Sequence, residues 1–133
     1  SPDGFPVSDA SGYAGMPPGE YRCFGHRDFV IRADGFCHVA GSELLSGAWF
    51  QQDRCVEFLV RAGKLPFLDA WEQCSLQPAR VARIRLPDIA AGEEATFVIA
   101  RWSDGVVIEQ SVHRGREYCD KPVRPAEPAL ASK

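Results

Sequence analysis

"EATFVIARWSDGVVIEQSVH", residues 94–113, joins two runs of β-branched and aromatic residues through Ser103-Asp104-Gly105, and its reading decides the fold class. Such runs favour the pleated sheet, and a three-residue connection with Gly105 in the left-handed region turns the chain back on itself. In that register Val98, Ala100 and Trp102 share a face with Val106, Ile108 and Val112, while Arg101, Glu109 and Ser111 take the other. The first face reads as core. A second hairpin is expected in "RDFVIRADGFCHVA", residues 27–40, where Asp34-Gly35 suits a two-residue type I′ turn. That turn would place Phe29, Ile31 and Ala33 with Phe36, His38 and Ala40 on one face, and set Arg32 opposite Cys37.

Working outward, "GAWFQQ" (47–52) and "RCVEFLVRAGKL" (54–65) read as strands, with Ala62-Gly63-Lys64 as a turn. "ARVARIRLP" (79–87) alternates, with Ala82, Ile84 and Leu86 one way and Val81, Arg83 and Arg85 the other, until Pro87 ends it. "PFLDAWEQC" (66–74) is the one segment suited to a short helix, because Phe67, Leu68 and Trp71 fall at i, i+1 and i+4. The expected architecture is all-β: an antiparallel sandwich or small barrel of about seven short strands with at most one short helix. Residues 1–19, rich in Gly, Pro and Ser, read as an extended N-terminal arm, 20–119 as a single β domain, and 120–133 as a Pro-rich C-terminal tail.

The 133 residues fit one domain, and 45% hydrophobic against 25% charged content is that of an ordinary globular chain. No run approaches the roughly 18 apolar residues that suggest a membrane span. With a net charge of −3, no global field favours nucleic acid or anionic lipid. Five cysteines and one methionine, with no initiator Met and no signal-peptide layout at Ser1, suggest a processed secreted or periplasmic protein held by disulfides. Cys55 and Cys74 flank the turn near Gly63, and a bridge between them would stabilise by roughly 2–4 kcal/mol. Cys119 would pair with Cys23 or Cys37, leaving the other as an odd thiol.

Cys23, His26, Cys37 and His38 are four groups able in principle to surround zinc. Adjacent strand residues point to opposite faces, so Cys37 and His38 cannot both reach one metal without a bulge, and the spacing matches no common zinc pattern. No metal and no cofactor are expected. There is no G-x-S-x-G elbow, and no argument sets two carboxylates across a cleft. The remaining candidates are binding residues. Trp102 and Asp104 lie at a hairpin tip, where aromatics often contact partners. His113, Arg114 and Arg116 surround a glycine, and Arg83 and Arg85 lie on an outward face; both groups could grip a carboxylate or phosphate through the guanidinium fork.

The favoured reading is an exported, non-enzymatic β domain that binds a protein partner, as an inhibitor or accessory protein, or a small ligand. The alternative is a structural subunit of an extracellular assembly whose arm, with Phe5, Val7, Tyr13 and Met16, adds a strand to a neighbour's sheet. A third reading is a small β-barrel enzyme with an interior acid–base pair.

Overall fold

The computed structural model describes residues 4–22 and 28–118. These contain seven strands in two antiparallel sheets, with three helices between the sheets in the sequence. Strand count and antiparallel pairing follow the sequence expectation; the sheets are open, with no closed barrel, and helix is more extensive than expected. The described chain divides into two compact units, residues 8–22 with 28–51, and residues 4–7 with 52–118.

The first is a meander of β1 (Gly19–Arg22), β2 (Asp28–Ile31), β3 (Phe36–Val39) and β4 (Leu45–Ala48), in that spatial order. Phe29 pairs with Val39 and Ile31 with Cys37, one residue out of the expected register. The reason lies in the turn. Type I′ geometry needs positive φ at both central residues, and here only Gly35 adopts it, at φ 85°. Ala33 therefore joins the loop: Gly35 N–H donates to Arg32 O at 3.0 Å, Arg32 N–H donates to Phe36 O at 2.9 Å, and Asp34 Oδ1 accepts from Phe36 N–H. A one-residue slip exchanges the faces of a strand. Phe36, expected inside, is 50% exposed, and Cys37, expected opposite Arg32 on the outer side, is 1% exposed. Phe29, Ile31, Cys37 and Trp49 form the core, closed by Tyr13, Tyr21 and Phe50. The arm is not free: Ala10 bridges Ala48 in parallel, and Trp49 Nε1 donates to Met16 O at 2.6 Å.

The second unit begins with α1 (Gln52–Arg61), where a strand was expected. Buried and half-buried Val56, Leu59 and Val60 recur at i, i+3 and i+4, and Asp53 and Arg61 complement the helix dipole at opposite ends. That helical period was the stronger signal in a run rich in β-formers. The chain leaves the helix through Lys64, left-handed at φ 57°, and the approach requires glycine at 63, where any Cβ would lie 2.6 Å from Leu59 O. The five residues 62–66 then return the chain into α2 (Phe67–Cys74), the helix the sequence anticipated, and a short connection makes neighbours antiparallel.

The expected strand at 79–87 is instead the end of α3 (Leu76–Val81) and an irregular segment. Ile84 N–H donates to Ala79 O and Arg83 N–H to Arg80 O, with Arg83 left-handed at φ 55°, which is a Schellman stop carrying arginine where glycine is usual. Ile84 and Leu86 are consequently exposed.

β5 (Phe97–Trp102), β6 (Val106–His113) and β7 (Arg116–Tyr118) form the second sheet in that order. The three-residue loop 103–105 and the pairing of Trp102 with Val106 agree with the sequence, although Asp104 (φ 51°) takes the left-handed position and Gly105 lies at φ 140°. Beyond Ala100–Ile108 the register shifts, so Ile99 meets Gln110 and Phe97 meets Val112. Glu109 is the extra residue of a bulge, which re-aims side chains beyond it. The expected core face is thereby cut short: Val106 and Trp102 pack inside, but Val98 and Ile108 are 45% and 37% exposed. The core of this unit is Val56, Ala70, Cys74 and Val106, enclosed by Leu59, Val60, Phe67, Trp71 and Trp102.

Candidate functional site

Asp9, one of five non-glycine residues with positive φ among the described residues, lies where the arm meets β4. Asp9 has φ 50° and Gly47 φ 77°. Asp9 O accepts from Ala48 N–H at 2.7 Å and Ser11 N–H donates to Ala48 O at 2.9 Å, so two hydrogen bonds clamp residues 9–11 to the end of β4. A Cβ at Gly47 would stand 3.1 Å from Asp9 O and 3.2 Å from Ser11 Cβ, which is why glycine occupies that position. A left-handed aspartate costs about 1 kcal/mol or more and persists where its surroundings over-determine it, and such outliers cluster at functional sites. The Asp9 residue is exposed. A solvent-facing carboxylate on a clamped backbone can accept and return a proton.

Two further groups belong to the same unit. Cys37 lies beneath the sheet; burial pushes its thiol up, and a hydrogen bond with Ser11 partly offsets this. His38, on the other face of β3, is 8% exposed, and its Nδ1 has no hydrogen-bond partner among the described residues. No group of three or more His, Cys, Asp or Glu suited to a metal occurs among the described residues. Cys23 and His26 of the four-ligand reading, like Cys119, lie outside them.

The binding residues read from the sequence all fall in the other unit. Trp102 is half-buried, its ring 5.7 Å from Phe67, so it serves the core rather than standing free at the hairpin tip. Asp104 presents its carbonyl to Arg61 Nη2 at 2.7 Å. Arg114 and Gly115, both with positive φ, make a two-residue turn between His113 and Arg116. Arg114 Nε lies 3.8 Å from Glu94, and the Arg116 guanidinium stacks over Tyr118 at 5.7 Å. Arg85 Nη2 reaches both oxygens of Glu93, at 3.0 and 3.1 Å, and Arg83 is the helix stop described above. These arginines are engaged locally rather than converging on one anion.

Cys55 and Cys74 carry free thiols in place of the expected bridge. Burial, and secondarily the Cys55 sulfur, push the Cys74 thiol up to about 11. The Cys55 thiol is raised by burial and then by Asp53.

No protein-family model and no curated protein matches the sequence. Solved structures do. An N-acetylglucosamine-6-phosphate deacetylase from Pasteurella Multocida aligns with a TM-score of 0.68 at 21% identity, over 86% of this chain and 29% of its own. An aspartate-to-alanine mutant of N-acetyl-D-glucosamine-6-phosphate deacetylase from Mycobacterium smegmatis, in complex with N-acetyl-D-glucosamine-6-phosphate, aligns at 0.62 and 24% identity, over 84% and 29%. The likeness is one of fold, shared with a segment of each of these chains. This chain spans about 29% of the length of either structure. The non-enzymatic binding domain expected from the sequence is corrected by this likeness, because the same fold forms a segment of two deacetylases. The other two readings fall on the structure itself. Residues 9–11 pair with the chain's own β4 rather than offering a strand to a neighbour, and the open sheets leave no barrel interior. No helix among the described residues is long and apolar enough to cross a membrane.

Sequence reasoning placed Asp9 in a featureless arm. "SDASG", residues 8–12, signals a turn and nothing more; the distinguishing feature is a backbone angle, which pattern does not disclose.

Proposed function

We propose that the chain is part of an enzyme that hydrolyses the amide of an N-acetylated amino-sugar phosphate, with Asp9 supplying acid–base chemistry. The observation that carries the reading is the fold shared with two such deacetylases over most of this chain. Amide hydrolysis needs a group that takes a proton from the attacking water and returns one to the departing amine, and one carboxylate can do both. Asp9 suits the role because it is exposed and its backbone is clamped in a strained conformation. Other carboxylates serve the scaffold: Glu57 binds Arg54 and the Val106 amide, Glu93 holds Arg85, and Glu109 holds Arg101.

The test is acetate release from N-acetylglucosamine-6-phosphate by the full protein that carries this chain. Asp9→Asn is expected to lower kcat by about 10²–10⁴-fold, the usual contribution of a positioned acid or base, with KM nearly unchanged. Absence of acetate release from the unaltered protein rejects the substrate class, and an unchanged kcat in the variant rejects Asp9.

A further inference from the structure

We infer that Cys55 and Cys74 are a modification site at which a peroxide converts two thiols into a disulfide stapling α1 to α2. The inference goes beyond the hydrolase reading and does not depend on it. The two cysteines mirror one another across the connection 62–66: Cys55 lies six residues before Arg61, the end of α1, and Cys74 seven after Phe67, the start of α2. At about 1.5 Å of rise per residue they stand roughly 9 and 10 Å from the turn, and so level with each other on antiparallel helices. Both belong to one packed cluster, in which Ala70 is fully buried; its methyl group is small enough for two helices to approach closely. The Cys74 thiol feels the Cys55 sulfur, an independent sign of proximity. Cys55 is partly buried and Cys74 buried, so Cys55 is the more accessible thiol, which assigns their roles.

The outer thiol reacts first. The Cys55 thiolate attacks one peroxide oxygen, the O–O bond breaks, and the departing hydroxide leaves as water after taking a proton, giving a sulfenic acid. The Cys74 sulfur then attacks that sulfur, forming the S–S bond and expelling hydroxide, which leaves as a second water with the Cys74 proton. Two electrons pass from the two sulfurs to the peroxide, and two thiols plus hydrogen peroxide become one disulfide and two waters. Thiolate is the reactive form, so burial makes the reaction slow at neutral pH and faster in alkali. Burial has the opposite effect on the product. A dithiol that gains nothing from ionising does not favour reduction, so the bridge resists glutathione once formed.

The test treats the full chain with hydrogen peroxide at mildly alkaline pH, alkylates it unfolded, and maps the peptides by mass. A bridged peptide joining Cys55 to Cys74, two hydrogens lighter than its reduced parts, is expected. The melting midpoint should rise by about 10 °C, as for a loop of this length, and fall back with dithiothreitol. Cys55→Ser should abolish both effects and Cys37→Ser neither; Cys74→Ala provides a second loss variant should serine at 55 prevent folding. Free alkylation of both cysteines after oxidation, or pairing of either with a different cysteine, overturns the inference.

Discussion

Replacing Glu57 by alanine tests how the helices hold the β5–β6 hairpin. Glu57 Oε1 accepts from the buried Val106 N–H at 2.9 Å, and Oε2 accepts from Arg54 Nη1 at 2.6 Å. The carboxylate side chain is 12% exposed, and its neighbour Gly105 has no room for a Cβ, which would fall 2.8 Å from Oε1. Glu57 is therefore the buried polar contact between α1 and the hairpin tip, beside the exposed one from Arg61 Nη2 to Asp104 O. Alanine strands a buried amide, which costs about 1–3 kcal/mol. The Arg54 pair adds ~1 kcal/mol at most, because Arg54 is partly solvated. The sum is ~2–4 kcal/mol. Glutamine keeps an acceptor for Val106 and loses only the charge, so about 1 kcal/mol is expected. Urea unfolding followed by tryptophan fluorescence should show a lower midpoint for Glu57→Ala at unchanged slope, together with lost exchange protection at the Val106 amide. A cost below ~0.5 kcal/mol for alanine, or an equal cost for glutamine, would refute this account.

Two further outcomes follow from backbone and thiol chemistry. Arg83→Gly relieves a left-handed arginine at the end of α3 and should stabilise by about 0.5–1 kcal/mol in the same urea assay; a loss of stability would show that the arginine side chain matters more than the strain. The Cys74 thiol ionises near 9.0 when unfolded and near 11 when folded, so the native state keeps a proton that the unfolded chain releases. The stability it supports is complete below pH 9 and falls as pH rises toward 11, by up to about 2 kcal/mol. Melts between pH 8 and 10.5 should show this slope in the unaltered chain and a shallower one in Cys74→Ala; equal slopes would assign it to other groups.

What was legible in the sequence depended on which signal dominated each segment. The loop 103–105 has one low-energy solution, and its first pairings came out as expected. Around Asp34-Gly35 two turns compete, and they differ by one residue of loop. Choosing the shorter one exchanged Phe36 for Cys37 in the core. In residues 54–61, Val and Phe favour strand, yet the structure follows the helical period, since packing of Val56, Leu59 and Val60 overrides intrinsic strand preference. Residues 79–87 misled for another reason: Arg83 adopts a backbone angle that arginine rarely takes, and a stop of that kind leaves no mark in composition.

The alternation in β5 and β6 carries a further lesson. Val98 and Ile108 are expected on a core face, yet both are exposed among the described residues. Alternation reports that a surface is apolar; it does not report what covers it. The binding-module expectation has a separate basis, the lack of a recognisable catalytic pattern in the sequence. Asp9 was invisible for the complementary reason. Its candidacy rests on a φ of 50° and two backbone hydrogen bonds to β4, and long-range pairing of that kind exists only once residues 9–11 and 48 are side by side.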